Sequence, residues 1–222
     1  MKKIIMLIAV LACVSCQTLP SASGPAVDLF NGKDLKGWMA FSSKPGVKLE
    51  DVWNVRDGLI ICKGEPLGWL GTEKTYTNYK LTAEWRWGDS QKPGNSGFFQ
   101  RINGDPSTLP RCIECQLKHG SAGDLMGFQG MTVKGDSART MTPKKFALGE
   151  LTGGVRKIAM AEKIPGEWNH AEITVQGDKL IVIINGKKIN EVTGVPVLAG
   201  RIGLQAEGGE IHFRNVRLIP LD

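Results

Sequence analysis

The stretch from Gly94 to Gly120 gathers the residues best suited to chemistry. It runs Gly94-Asn95-Ser96-Gly97-Phe98-Phe99-Gln100-Arg101, turns through Asn103-Gly104-Asp105-Pro106, and returns as Arg111-Cys112-Ile113-Glu114-Cys115-Gln116-Leu117-Lys118-His119-Gly120. Side chains alternate across a strand, so Glu114 and Gln116 share one face. Arg101, with Phe99, is expected to project from the neighbouring strand onto the same surface. A carboxylate there supplies acid–base chemistry, a guanidinium stabilises an oxyanion, and an amide orients a bound polar group. The bland reading of the same residues is a cross-strand Arg101–Glu114 ion pair with Gln116 as a surface residue. Asn95-Ser96-Gly97 suits a close approach of backbone to a ligand.

Those residues need strands to hold them. Period-two and apolar runs bounded by turn residues predict strands over 51–56, 59–63, 68–72, 79–87, 96–101, 112–117, 168–176, 179–184, 187–192, 200–207 and 211–218. Asp57-Gly58 and Asn185-Gly186 are dipeptides of tight two-residue hairpins, and Gly177-Asp178 makes a third turn. No stretch keeps 3.6-residue apolar spacing over a helical length. Residues 127–161 are polar and weakly periodic, and are expected as a long insertion over one end of the sheets. The pattern predicts an all-β, two-sheet antiparallel sandwich of the jelly-roll type, in one domain over residues 27–222.

With 222 residues the chain is long enough for a core that needs no disulfide or metal. The formal charge is +6, and without Lys2 and Lys3 it is 26 basic against 22 acidic residues. The remaining basic residues are scattered rather than gathered in a stripe with aromatics, which argues against a nucleic-acid partner. Cys62, Cys112 and Cys115 are expected as buried free thiols. Cys112 and Cys115 lie three apart in a strand, on opposite faces, which does not suit a shared metal. No cofactor is expected; carboxylates near a groove could hold Ca²⁺, yet no loop has the ligand spacing of such a site.

Lys2-Lys3 precedes an apolar run from Ile4 to Ala12, too short for a permanent span and typical of an export signal. Val10-Leu11-Ala12-Cys13 resembles a bacterial lipoprotein processing box, and Val14-Ser15-Cys16 offers a second candidate. Residues 1–16 are thus expected as a lipoprotein-type signal, with Cys13 or Cys16 lipidated, and 17–26 as a flexible tether. This implies a bacterial envelope location, periplasm or outer membrane, with membrane contact only through the lipid.

An ordered set of motifs carries a family resemblance. Leu29-Phe30-Asn31-Gly32-Lys33-Asp34-Leu35-Lys36-Gly37-Trp38 resembles the opening motif of the DUF1080, or 3-keto-disaccharide hydrolase domain, family. Trp53-Asn54-Val55-Arg56-Asp57-Gly58-Leu59, Asn95 to Arg101, Glu114-Cys115-Gln116, Gly166-Glu167-Trp168-Asn169, Asn185-Gly186, Gly203-Leu204-Gln205 and Phe213-Arg214-Asn215-Val216 follow in order. Two places depart from the family pattern: Cys115 to Asp124, and Glu207-Gly208 where many members have His-Gly.

The resemblance implies a concanavalin A-like sandwich and cleavage of 3-keto glycosides. The ketone acidifies the C2 hydrogen, so a base can remove it and expulsion of the C1 substituent follows. On this reading Glu114 is base or acid, Arg101 stabilises the oxyanion, and His119 or Asp124 supplies the complementary proton transfer. Gln116, Asn95, Gln205 and Glu207 are expected to bind the sugar, with Trp69 as a stacking platform. Glu84, Asp124 and Glu207 are candidate second carboxylates for a two-acid site. The alternative on the same scaffold is a non-catalytic carbohydrate-binding lipoprotein.

Overall fold

In the computed structural model, residues 22–89 and 91–222 are described. Seventeen strands follow in order: β1 (Val27–Asp28), β2 (Trp38–Ser42), β3 (Trp53–Arg56), β4 (Leu59–Cys62), β5 (Gly68–Thr72), β6 (Tyr79–Trp87), β7 (Gly97–Asn103), β8 (Arg111–Gln116), β9 (Leu125–Phe128), β10 (Thr140–Met141), β11 (Lys144–Phe146), β12 (Gly149–Val155), β13 (Asn169–Gln176), β14 (Lys179–Ile184), β15 (Lys187–Val192), β16 (Arg201–Ala206) and β17 (Ile211–Pro220). One helical turn, α1 (Leu49–Val52), and a 3₁₀ turn at Ser137–Arg139 are the helical pieces among the described residues.

The strands form two antiparallel sheets. The eight-stranded sheet runs β15-β14-β13-β6-β17-β4-β3, with β1 on β17. The nine-stranded sheet runs β10-β12-β9-β8-β7-β16-β5-β2, with β11 on β12. Strict alternation in sequence becomes alternation in burial: along β6, Tyr79, Leu81, Ala83, Trp85 and Trp87 point inward and the residues between them do not. The two Asx-Gly hairpins form as expected, with Asp57 and Asn185 both at φ near +50° and followed by a left-handed glycine.

Between the sheets lies the main core, where Trp85, Phe98 and Phe213 meet edge to face. A second, smaller apolar cluster of Trp69, Phe99, Ile102, Leu109, Cys112, Phe128 and Leu151 sits on the other face of the nine-stranded sheet. Cys112 thus joins one cluster and Cys115 the other, as their spacing requires, and both are free and buried, as is Cys62. Burial pushes all three thiols up, Cys62 to about 12.

Residues 127–161, read as an insertion, carry structure of their own. β12 pairs with β9 and receives β10 and β11 as short hairpin partners, which widens the nine-stranded sheet at its edge. Gly149, Gly153 and Gly154 in β12, and a register shift between Leu151 and Gly153, blur the alternation that reveals a strand. Of the segment read as a tether, residues 22 and 23 bond to the end of β17, through the Ala22–Leu221 bridge and Ser23 N–H to Pro220 O at 3.0 Å. Cys13, Cys16 and the rest of the expected signal lie outside the described residues.

Candidate active site

A cavity of about 300 Å³ opens on the outer face of the nine-stranded sheet, above the smaller apolar cluster. Asn95, Glu114, Gln116, Gln205 and Glu207 supply its polar lining. Glu114 and Gln116 stand two apart on β8 and face out of the sheet, with Cys112, while Ile113 and Cys115 face the main core. Gln205 is on β16, and Glu207 lies one residue past that strand's end.

Short backbone contacts fix these groups relative to one another. Asn95 N–H donates to Gly208 O (2.8 Å), Ser96 Oγ–H to Gln205 O (2.8 Å), and Leu117 N–H to Ser96 O (2.8 Å). The segment entering β7 is thereby tied both to the end of β8 and to the turn after β16. Gly94 allows this approach, because a Cβ there would lie 1.8 Å from Gly208 O. Gly97 has a second purpose: a Cβ would lie 2.5 Å from Glu114 Oε1, so the glycine leaves room for the carboxyl group.

Glu114 is 1% exposed, and its Oε1 has no hydrogen-bond partner. Burial lifts its pKa well above the usual carboxylate range, and the charge of Glu207 adds to the rise. Glu207 is raised as well, chiefly by burial, but a hydrogen bond from Gln205 Nε2 (2.7 Å) and the Lys118 charge pull it back. The two carboxyl groups therefore differ: Glu114 holds a proton that Glu207 releases more readily. Such a separation suits one carboxyl of a pair to give a proton and the other to take one.

The amides complete the polar half. Gln116 Oε1 accepts from Leu117 N–H (2.9 Å) and Lys118 N–H (2.7 Å), which leaves Nε2 as its free donor. Among the described residues, five buried side-chain polar atoms lack a partner. Three of them are oxygens on this lining: Asn95 Oδ1, Glu114 Oε1 and Gln205 Oε1. Buried polar atoms are ordinarily paired, so three together leave places where a polar ligand can supply the partners.

Five residues weighed for the site do not line the cavity. Arg101 is the main correction. A β-bulge falls between Gln100 and Asn103, where the pairing with β8 slips by one residue, and Arg101 itself has φ +54°. Alternation breaks there, so Phe99 and Ile102 face the cavity side while Arg101 turns away. Its guanidinium donates to Thr77 O (3.2 and 2.7 Å), Pro196 O (2.7 Å) and Gly177 O (2.9 Å), tying three loops together. There is no Arg101–Glu114 ion pair; Arg101 is a structural cation.

Trp69 is 1% exposed, stacked on Phe41 (5.7 Å, 15°), and its Nε1–H donates to Ser107 O (2.9 Å). It is a floor beneath the cavity, not an open platform. His119 faces solvent and pairs with Glu162 (3.2 Å), and Asp124 accepts from Lys157 N–H (2.8 Å) beside a separate shallow depression. Both lie beyond the end of β8, in a turn that carries their side chains off the cavity. Glu84, weighed as a second acid, pairs with Arg214 (2.6 Å) on the other sheet.

Sequence reasoning missed the apolar half of the lining: Leu67, Leu109, Met126, Phe128, Phe146 and Leu148. Met126 is recoverable in hindsight, since it pairs directly with Glu114 across the ladder. Phe146 and Leu148 belong to the β11–β12 hairpin, in the stretch read as an insertion. Among the described residues no group of three or more His, Cys, Asp or Glu is placed to hold a metal.

Solved structures share the architecture. A protein of Parabacteroides distasonis ATCC 8503, provisionally described as a glycosyl hydrolase, is 23% identical with TM-score 0.63, over 89% of this chain and 94% of that one. The carbohydrate-binding module CBM66 of Bacillus subtilis is 10% identical with TM-score 0.57, over 82% and 94%. A β-glucanase of Bacillus licheniformis is 11% identical with TM-score 0.57, over 90% and 100%. At these identities the likeness is one of fold, the concanavalin A-like jelly roll. No curated protein matches the sequence. The sequence profile of the 3-keto-alpha-glucoside-1,2-lyase-like domain matches residues 25–219, nearly all of the described chain and the whole cavity, and the protein belongs to that family.

Proposed function

We propose that the cavity binds a 3-keto glycoside and cleaves it by elimination, with Glu207 as base and Glu114 as acid. The observation that carries the reading is the pair of unequal carboxyl groups in one lined cavity, beside three unpaired buried oxygens. A carbohydrate ligand is further supported by the family and by the fold shared with carbohydrate-active proteins.

Glu207 removes the proton at C2, which the neighbouring ketone acidifies. The C2–H electron pair passes through C2=C3 onto the ketone oxygen as an enolate, whose collapse forms the C1=C2 double bond as the C1–O bond breaks. Glu114 gives its proton to the departing oxygen, so the leaving group departs as a neutral alcohol. Gln116 Nε2 is the donor available to the ketone oxygen as charge gathers there, in the role first ascribed to Arg101. Asn95 and Gln205 carbonyls accept from sugar hydroxyls. Water added to the enone afterwards gives net hydrolysis.

Incubation with a 3-keto glucoside tests this. The wild type releases the alcohol, and Glu207→Gln does not; equal release by both removes Glu207 from the chemistry. We also propose that the protein is exported and lipidated at Cys13 or Cys16, on the pattern of residues 2–16. Incorporation of a labelled fatty acid, lost when both cysteines are replaced by serine, tests that reading.

A further inference from the structure

We infer that the leaving group this cavity prefers is an apolar alcohol rather than a second sugar. The inference rests on the 3-keto-glycoside reading above and concerns the other half of the same cavity. Polarity changes along the strand order β16-β7-β8-β9-β12. Gln205, Glu207, Gln116 and Glu114 line it from β16 to β8, with Leu67 the apolar exception beside β5, and from β9 onward the lining is Met126, Phe128, Phe146 and Leu148. Glu114 and Met126 are direct cross-strand partners, so the boundary between the halves runs beside the proposed acid.

That boundary decides what lies where. The acid protonates the glycosidic oxygen, so the keto sugar occupies the polar side and the leaving group extends over Met126 and Phe128. A second sugar there would lose the hydration of its hydroxyls and meet only one polar side chain, Thr108. An apolar ring or chain would lose nothing of that kind and would cover apolar surface that now faces water.

The lip of this half is built for such a group. Phe146 and Leu148 are 44% and 43% exposed, on a hairpin whose inward-facing Leu151 belongs to the smaller apolar cluster beneath the cavity. They are held in place by the β11–β12 pairing, Phe146 with Gly149. Gly149 sits close against Gln129, where a Cβ would lie 2.1 Å from Nε2, so the hairpin is seated on the sheet edge.

The test compares two probes, the 3-keto glucosides of cyclohexylmethanol and of glucose, by equilibrium Kd on Glu114→Gln and by turnover on the wild type. Cyclohexylmethanol is the poorer leaving group, so any advantage it shows comes from binding. At least tenfold tighter binding of the cyclohexylmethyl glycoside is expected, reduced to near parity in Phe146→Ser/Leu148→Ser, with the Kd for the glucosyl glycoside unchanged. Equal affinity, a preference for the glucosyl glycoside, or no binding of either probe overturns the inference. Absence of turnover with the binding preference intact refutes the catalytic reading alone. Both substituted side chains are exposed, so the double variant is expected to keep the wild-type unfolding midpoint.

Discussion

Glu114→Gln separates the stability and the chemistry of the buried carboxyl in one variant. In the folded protein Glu114 keeps a proton that the unfolded chain releases above a pKa of about 4.3. The folded state therefore binds more protons, and stability falls as pH rises from there toward the folded pKa. Each pH unit in that window costs about 1.4 kcal/mol per proton. Glutamine is nearly isosteric and does not titrate, so its stability lacks this share of the slope, while Glu207 retains its own. The stability difference, variant minus wild type, should grow with pH from about 4.5 at up to 1.4 kcal/mol per unit. Turnover of a 3-keto glycoside should drop by ~10²–10⁴, the usual contribution of a positioned acid, or about 3–5 kcal/mol of barrier. Guanidinium unfolding at pH 5, 6 and 7 with parallel rate measurements checks both. A variant with the wild-type pH slope would refute the buried protonated carboxyl.

Gly97→Ala puts a methyl where Glu114 Oε1 now lies 2.5 Å away, displacing the acid; kcat should fall by about 10²-fold with far-ultraviolet circular dichroism unchanged. Arg101→Leu leaves the carbonyls of Thr77, Pro196 and Gly177 without donors. It should cost about 3–5 kcal/mol in denaturant unfolding. The folded fraction should keep near wild-type kcat, whereas an oxyanion role predicts the reverse. The pH profile of kcat/KM should be bell-shaped. Activity is lost as pH falls through the raised pKa of Glu207, which must be ionised to act as base. It is lost again as pH rises through the higher pKa of Glu114, which must be protonated to act as acid.

The sandwich was legible because its strands obey simple rules. β6 reads as alternating residues and folds as alternating burial, and the Asx-Gly dipeptides form the hairpins they predict. Glu114 and Gln116 were legible for the same reason, being two apart on one strand. Arg101 was not, because a bulge reverses alternation within three residues, and an arginine at positive φ gives no sign of it. His119 and Asp124 follow the end of β8, where strand geometry no longer says which way a side chain points. Trp69 alternates onto the correct side of its strand, yet Phe41 and the carbonyl of Ser107 cover it. The apolar wall was hidden for a different reason. Its hairpin lies in a glycine-rich edge strand pair, and only tertiary pairing of β12 with β9 brings Phe146 and Leu148 over the cavity.

The central claim is that cleavage passes through removal of the C2 proton by Glu207, with Glu114 as the acid. The most direct measurement compares a 3-keto glucoside carrying hydrogen at C2 with one carrying deuterium, on the wild type at neutral pH. The account predicts slower release of the alcohol from the deuterated substrate, a primary isotope effect on kcat/KM, together with no measurable release by Glu207→Gln. Release at equal rates from the two substrates, with Glu207→Gln still active, would contradict it.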